Sequence, residues 1–203
     1  MSIDELVKAV QSTLNVTADG KPGVETWTAI YNKIVGKQQP KIDETVVGVT
    51  VDPRSEKNIA TLHPKVQSMA KMLIEKAQNA GIQIKVISGT RTYDEQNDLY
   101  AQGRSKPGSV VTNARGGYSN HNFGIAFDIG VFEGSKYIPE SSKYKAVGAL
   151  GTQIGLEWGG NWKSIKDEPH FQLRPTWAQN LSESQMLSEL RTRKANNTDA
   201  FKA

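Results

Sequence analysis

The sequence predicts an α+β fold, in which a small antiparallel sheet is flanked by helices and preceded by a short helical unit. Amphipathic helical segments and short strands of period two are interspersed along the chain, as at 64–80 and 125–131. A turn signal, Glu133-Gly134, directly follows one of the strands and is typical of a hairpin. No regular strand–helix–strand repeat is present, so a parallel sheet is not indicated.

Length and composition narrow the possible classes. The chain has 203 residues, which fits one medium domain with an appendage. Its formal net charge of +4 favours an anionic partner such as nucleic acid, anionic lipid or bacterial cell wall. The basic residues are scattered and not interleaved with aromatic ones, so we do not expect nucleic acid as the partner. No apolar run is long enough for a membrane span, and we expect the chain to act as a monomer.

Residues 1–36 are predicted to form a separate helical unit. Ser2 and Glu5 make a capping box, and the segment D-G-K-P-G separates the first helix from a second one at 24–35. The pattern V-Q-x-x-L-x-V-x-x-D-G-x-x-G-x-x-T-W-x-A-I resembles the small helical peptidoglycan-binding repeat, although the segment is shorter than that repeat. The alternative is a helical hairpin that packs on the larger domain. Residues 37–60 are polar and contain prolines, so we predict a linker there.

Residues 61–180 are predicted to be the main domain, and 181–203 a C-terminal helix and tail. These elements follow from apolar periodicity, from capping residues and from glycines at helix ends. The Gly-, Ser- and Asn-rich loop at 104–120 is expected to form a wall of a substrate site. Residues 195–203 are expected to fray. The predicted helices are 64–80, 92–103, 141–154 and 182–194, and the predicted strands are 82–86, 125–131 and 171–173.

The chemistry is concentrated in residues 117–130, G-Y-S-N-H-N-F-G-I-A-F-D-I-G. His121 stands seven residues before Asp128, and the small residues that share the strand face of Asp128 leave room for a ligand. A further imidazole, His170, follows in D-E-P-H-F-Q. Two imidazoles and a carboxylate are a typical set of protein ligands for a catalytic zinc with an open fourth position. The alternative is a solvated aspartate and two structural histidines.

Composition restricts the choice of metal ligands. The chain has three histidines and no cysteine, so thiolate ligands and disulfides are both excluded. His63 precedes Pro64 at a predicted helix start and has no acidic residue near it in the sequence. A transition metal would therefore be held by His121 and His170.

These residues are similar to the zinc signature of the LAS peptidases. The motif is S-x-H-x-x-G-x-A-x-D, which begins at Ser119 and ends at Asp128. The family includes the vancomycin-resistance D-Ala-D-Ala peptidases and the L-alanyl-D-glutamate endopeptidases of phages and bacteria, and the resemblance is greatest to the latter. Further matching segments, in the same order, are S-G-T-R at 88–91, E-Q-N-D-L-Y-A-Q-G-R at 95–104, V-T-N-A-R-G-G at 111–117, E-W-G-G-N-W at 157–162 and K-D-E-P-H-F-Q at 166–172.

The resemblance implies a hedgehog/D-Ala-D-Ala peptidase-like fold and one Zn²⁺ held by His121, Asp128 and His170. Peptidoglycan is the implied substrate. Arg91 matches the family residue that stabilises the oxyanion formed when an amide is attacked. Ser119 is expected to hold a substrate carboxylate or to orient His121. Trp158 and Trp162 are each expected either to belong to the core or to form a wall of the substrate site.

Two carboxylates compete for the role of general base. Pro169 restricts Glu168 to an extended conformation, and strand alternation then places Glu168 on the face of His170. The resemblance favours Asp167 instead, because the base of the family stands three residues before the last histidine. A turn at 166–169 would bring Asp167 over the metal. We predict that Asp167 is the base and that Glu168 lies at the rim of the substrate cleft.

The predicted function is that of a zinc-dependent peptidoglycan endopeptidase, which hydrolyses the L-alanyl-D-glutamate bond of stem peptides and lyses the bacterial cell wall. One alternative is a D-Ala-D-Ala carboxypeptidase with the same metal site, and another is a non-catalytic wall-binding protein. Residues 1–10 carry three charges and do not form a signal peptide. We therefore expect a protein made in the cytoplasm that reaches the wall by host lysis or by a route without a signal peptide.

Overall fold

The computed structural model describes residues 2–21, 23–34, 51–163 and 165–202. It divides into two compact units, residues 1–46 and 47–203. The first unit contains the predicted pair of helices, α1 (Ile3–Thr13) and α2 (Val24–Ile34). The first unit was predicted to end at residue 36. That boundary and most of the predicted linker lie outside the described residues.

Gln11 holds the small unit together from its centre. Its side chain is buried, and its Nε2 donates to Asp19 Oδ1 over 2.8 Å and to Thr26 Oγ1 over 2.9 Å. Its Oε1 accepts from the backbone N–H of Gly20. A buried amide with all these partners fixes the turn between the two helices. Several apolar side chains of this unit are exposed, namely Ile3, Leu6, Val10 and Trp27.

The larger unit has the predicted α+β architecture. Its helices are α3 (Pro53–Ile59), α4 (Pro64–Asn79), α5 (Tyr93–Ala101), α6 (Lys143–Gln153) and α7 (Glu183–Ala195). Its strands are β1 (Gln83–Ser88), β2 (Ala126–Glu133), β3 (Lys136–Ile138), β4 (Glu157–Trp158) and β5 (His170–Gln172). Short 3-10 turns cover Asn120–Phe123, Gly159–Asn161 and Thr176–Ala178. None of the helices in the described part of the chain is long and apolar enough to cross a membrane.

All strand pairs are antiparallel, and the sheet order is β1-β2-β5-β4, with β3 also paired to β2. The pairing of β2 with β5 sets Phe127 opposite Phe171 and Asp128 opposite His170. One face of the sheet is therefore apolar, and its Phe127 and Phe171 rings stack 5.8 Å apart against a core that includes Leu73. The other face carries the polar residues, because successive side chains of a strand point to opposite sides.

Helix α3 lies inside the segment that we predicted as a linker, so that prediction is wrong for residues 53–59. Asp52 caps the helix and Pro53 starts it, which is a favourable pair of N-terminal residues. The buried Ser55 Oγ accepts from the backbone N–H of Val86 over 2.8 Å, and Asn58 Nδ2 donates to the carbonyl of Val86 over 2.8 Å. The helix thus covers the edge of β1 with polar contacts, which is why its sequence resembles a loop.

The predicted fraying of the C-terminal tail is also wrong, because residues 198–202 pack against the domain. The Phe201 side chain is buried, and its ring centroid lies 4.6 Å from that of His63. Asp199 Oδ2 lies 2.9 Å from His63 Nε2, and the Arg193 guanidinium donates to the carbonyl of Lys202. His63 therefore has an acidic partner 136 residues away in the chain. Such a contact has no signal in local sequence.

Candidate metal centre

The three predicted ligands converge on one point of the polar sheet face. His121 lies in the 3-10 turn before β2, Asp128 lies within β2, and His170 begins β5. Asp128 Oδ1 is 3.2 Å from His121 Nε2 and 3.2 Å from His170 Nδ1, and the two nitrogens are 3.3 Å apart. One donor atom from each residue thus faces a common centre, and all lie within 4.8 Å of one another. The antiparallel register produces this geometry, since it sets Asp128 opposite His170.

The hydrogen bonds of the two imidazoles leave a lone pair for a metal. His121 Nδ1 is 2.8 Å from the carbonyl oxygen of Gly89, which can only accept, so Nδ1 carries the proton. His170 Nε2 is 2.9 Å from Gln172 Oε1, which leaves His170 Nδ1 unprotonated in the neutral ring. The unprotonated nitrogens, His121 Nε2 and His170 Nδ1, are the ones that face Asp128. A second hydrogen bond that fixes the tautomer is typical of histidines that ligate metals, so the three residues fit a divalent metal.

Charge keeps the ligand carboxylate ionised. Burial acts to raise the pKa of Asp128, but the imidazoles of His121 and His170 hold this pKa well below its usual range. Burial acts to lower the pKa of His170, yet the Asp128 carboxylate raises it overall. These opposite shifts show that the site stabilises positive charge beside Asp128, as a metal site must.

Arg91 lies beside this carboxylate. Its Nη2 donates to Asp128 Oδ2 over 2.6 Å, on the side of the carboxylate away from the histidines. Ser88 Oγ accepts from Nε and Nη2 of Arg91, and Gln96 Oε1 accepts from Nη1. The guanidinium is therefore held in one orientation next to the ligands.

The structure brings Asp167 to the centre. The backbone N–H of His170 donates to the carbonyl of Asp167 over 3.1 Å, which closes a turn over 167–170. Gly159 packs against this turn, and a side chain at Gly159 would collide with Asp167. Burial, followed by the negative charge of Asp128, raises the pKa of Asp167, whereas His170, His121 and Arg91 act to lower it. The charges that act on Asp167 are thus those of the metal centre.

Glu168 follows Asp167 in the turn and is half-buried. Burial raises the pKa of Tyr144 to about 12, and the charge of Glu168 contributes to that shift. Strand alternation does not apply across this turn, and the charges of the ligands act on Asp167.

The aromatic residue at the centre is Trp162 and not Trp158. Trp158 pairs with Phe171 in the sheet, so its side chain points to the core face, where it packs against Gly148 of α6. Trp162 follows a 3-10 turn and its ring centroid lies 4.9 Å from that of His170, with 37% of the residue exposed. Trp158 packs against the core and also lines a cleft beside the centre. Ser119 directly precedes the turn that carries His121, and its carbonyl accepts from Asn122 N–H.

Sequence analysis missed a polar group behind His170. Gln172 lies two residues after His170 on the same strand face, and its Nε2 donates to Glu157 Oε2 over 2.6 Å. Arg174 Nε donates to the other oxygen, Glu157 Oε1, over 2.6 Å. A cleft of about 690 Å³ opens here, with Trp162 on its wall. Strand alternation from His170 is the signal that would have found Gln172.

Comparison with known proteins identifies relatives over the region of this site. Residues 112–173 match the peptidase M15 family model described as D-alanyl-D-alanine carboxypeptidase. The chain is 39% identical over 124 residues to the peptidoglycan L-alanyl-D-glutamate endopeptidase CwlK of Bacillus subtilis, a match that covers 56% of this chain and 74% of the relative. It is 27% identical over 122 residues to the L-alanyl-D-glutamate peptidase of Listeria phage A118, covering 59% of this chain and 40% of that one. The crystal structure of the Serratia marcescens L-Ala D-Glu endopeptidase ChiX matches with a TM-score of 0.50 and 24% identity, covering 64% of this chain and 93% of that one, and so supports the fold.

Proposed function

Since this chain belongs to the M15 peptidase family, we propose that it is a zinc-dependent endopeptidase that hydrolyses the L-alanyl-D-glutamate bond of peptidoglycan stem peptides. The observation that carries the proposal is the convergence of His121, Asp128 and His170 with Asp167 and Arg91 beside them. The relative from Bacillus subtilis bears the name of this activity.

The chemistry divides among the residues of the centre. A bound Zn²⁺ would supply Lewis-acid activation of water and of the scissile carbonyl. Asp167 takes the proton of the attacking water and delivers it to the leaving amine, and its raised pKa suits a group that must do both. Arg91 donates towards the negative charge that develops on the carbonyl oxygen, since its Nη1 carries a second N–H beyond the one given to Gln96. Ser119, next to the ligand turn, is placed to contact the substrate.

Zinc is the proposed metal because the donor set is two imidazoles and one carboxylate, which suits zinc in a site with an open position. We expect purified protein to contain about one zinc per chain, and His121→Ala and His170→Ala to lose both zinc and hydrolysis. His63→Ala is the matched control, because the His63 ring contacts Asp199 and Phe201 and none of the ligands. Full zinc content and activity in either ligand variant would show the assignment to be wrong.

Digestion of purified sacculi tests the bond that is cleaved. Mass spectrometry of the digest should show new amino termini on D-glutamate, and the His121→Ala protein should produce none. The family description favours one competitor, a D-alanyl-D-alanine carboxypeptidase. Release of free D-alanine without new D-glutamate termini would establish that competitor, and binding without any cleavage would indicate a non-catalytic wall protein.

We further propose that the protein acts on the cell wall after it leaves the cytoplasm. Fractionation of cells that produce it tests this. Activity that stays in the cytoplasmic fraction until the cells lyse supports release by host lysis, and activity in the medium of intact cells supports export.

A further inference from the structure

We propose that Glu157, which touches none of the metal ligands, determines which nitrogen of His170 carries the ring proton, and thereby leaves the lone pair of Nδ1 available to the metal. It acts through the side-chain amide of Gln172, so it is a positioning residue. The inference rests on the proposed metal site.

Glu157 fixes one end of the Gln172 amide. An ionised carboxylate can only accept hydrogen bonds. Glu157 Oε2 lies 2.6 Å from Gln172 Nε2, and Glu157 Oε1 lies 2.6 Å from Arg174 Nε. Gln172 must therefore direct its nitrogen towards Glu157 and its oxygen towards His170.

Asn120 fixes the other end of the same amide. Its Nδ2 donates to Gln172 Oε1 over 2.6 Å and to Glu183 Oε1 over 2.5 Å. Asn120 cannot reverse its own amide, because that would set its oxygen against the Glu183 carboxylate. As a result Asn120 Oδ1 is buried without a partner, alone among the buried side-chain polar atoms of the described residues. An unsatisfied buried oxygen is destabilising, so the orientation of Asn120 is imposed by its neighbours.

The orientation of Gln172 sets the tautomer of His170. Gln172 Oε1 lies 2.9 Å from His170 Nε2 and accepts a hydrogen bond from its N–H group. This leaves His170 Nδ1 with a lone pair towards Asp128 and His121. A reversed amide would present N–H groups to Nε2 and move the ring proton to Nδ1. A protonated nitrogen has no lone pair for a metal, so the reversed state cannot bind one through His170.

Glu157→Gln separates the two tasks of the carboxylate. Gln172 and Arg174 bind different oxygens of Glu157, and the single amide oxygen of the variant can take the place of only one of them. The charged Arg174 forms the stronger hydrogen bond and retains that oxygen, so the new NH₂ group faces Gln172. Gln172 is then driven to reverse, against the resistance of Asn120, and both orientations become populated.

The experiment uses the full chain and two measurements. In metal-free protein at alkaline pH, Asp128 Oδ1 and Gln172 Oε1 compete for the ring proton of His170, so ¹⁵N NMR of the three histidines should show a larger Nε2-protonated fraction in the native protein than in Glu157→Gln. Zinc affinity should fall about 10–100-fold, the usual effect of losing a group that orients a metal ligand. The matched control is Glu189→Gln. Glu189 also pairs with an arginine, Arg193, at 2.8 Å, and its exposure of 43% is close to the 39% of Glu157.

A swapped pair provides the rescue. In the double variant Glu157→Gln/Gln172→Glu, the carboxylate at position 172 accepts from His170, from Asn120 and from the new amide, whose oxygen serves Arg174. We expect the Nε2 tautomer and native zinc affinity to return. The proposal is wrong if Glu157→Gln keeps the native tautomer ratio and the native zinc affinity, if Glu189→Gln weakens zinc equally, or if the double variant is no better than the single one. The tautomer is read without metal or substrate, so failure of the proposed peptidase activity would leave this result interpretable.

Discussion

Two aspartates at the metal centre have opposite pKa shifts. The imidazoles of His121 and His170 keep Asp128 ionised, whereas burial and the nearby charge of Asp128 raise the pKa of Asp167. Environments that separate two carboxylates in this way assign different tasks to them. Asp128 is suited to remain a ligand through the reaction, and Asp167 is suited to gain and lose a proton.

The general base can be identified with a pair of amide substitutions. Asp167→Asn should retain zinc but lower kcat about 10²–10⁴-fold, because the substitution removes proton transfer and none of the ligands. Glu168→Gln should keep most of the activity, since the charges of the metal ligands act on Asp167, to which we assign the role of base. Hydrolysis of a soluble muropeptide and metal content are the measurements. The reverse pattern would assign the role to Glu168.

Prediction at the level of residues succeeded where the chain offered little choice. Three histidines and a bare strand face leave few candidates, and His121, Asp128 and His170 do converge. The placement of Asp167 depends on a turn closed by backbone hydrogen bonds, which alternation alone cannot predict. The sequence left Trp158 between the core and a site wall, because its two-residue strand is too short to show a period.

Helix α3 is the element whose importance the sequence conceals. It covers the outer edge of β1, and covered edges protect a sheet from pairing with other chains. The contact is made by Ser55 and Asn58, whose polar side chains replace the backbone partners of a further strand. Periodicity identified α4 readily because that helix buries a regular apolar stripe, whereas α3 buries little apolar surface.

Removal of the Ser55 hydroxyl tests this account. Ser55→Ala leaves the backbone N–H of Val86 buried without its acceptor, so the free energy of unfolding should fall by about 1–3 kcal/mol. Ser68→Ala in α4 is the control, because Ser68 is exposed and should change stability by less than about 0.5 kcal/mol. Urea denaturation of both variants gives the comparison. Equal stability of the two would show that the α3 contact contributes nothing.

At the scale of the whole molecule, the C-terminal helix α7 is an integral part of the larger unit and not an appendage of it. Arg191 donates to the carbonyl of Gly117, Lys194 to that of Asn122, and Glu183 accepts from Asn120. All three contacts hold the segment around His121. These are long-range contacts between polar groups, and apolar periodicity in α7 gave no indication of them.

The small N-terminal unit is proposed to raise affinity for the wall without affecting bond cleavage. A chain that begins at Val51 keeps Asp52 and all of α3, and it should hydrolyse a soluble muropeptide at the native rate. Its sedimentation with purified sacculi should be weaker than that of the full chain. Equal sedimentation would reduce residues 1–36 to a structural hairpin.

The sheet order has a consequence for synthesis on the ribosome. Strand β5 occupies the middle of the sheet between β2 and β4, yet His170 is made 42 residues after its partner Asp128. At about 5–20 residues per second, the nascent chain exposes one side of β2 for roughly 2–8 s before its neighbour emerges. During that interval the apolar β2 offers an open edge to other nascent chains. Slow or paused translation between these two strands is therefore the stage at which this protein is most exposed to misassembly.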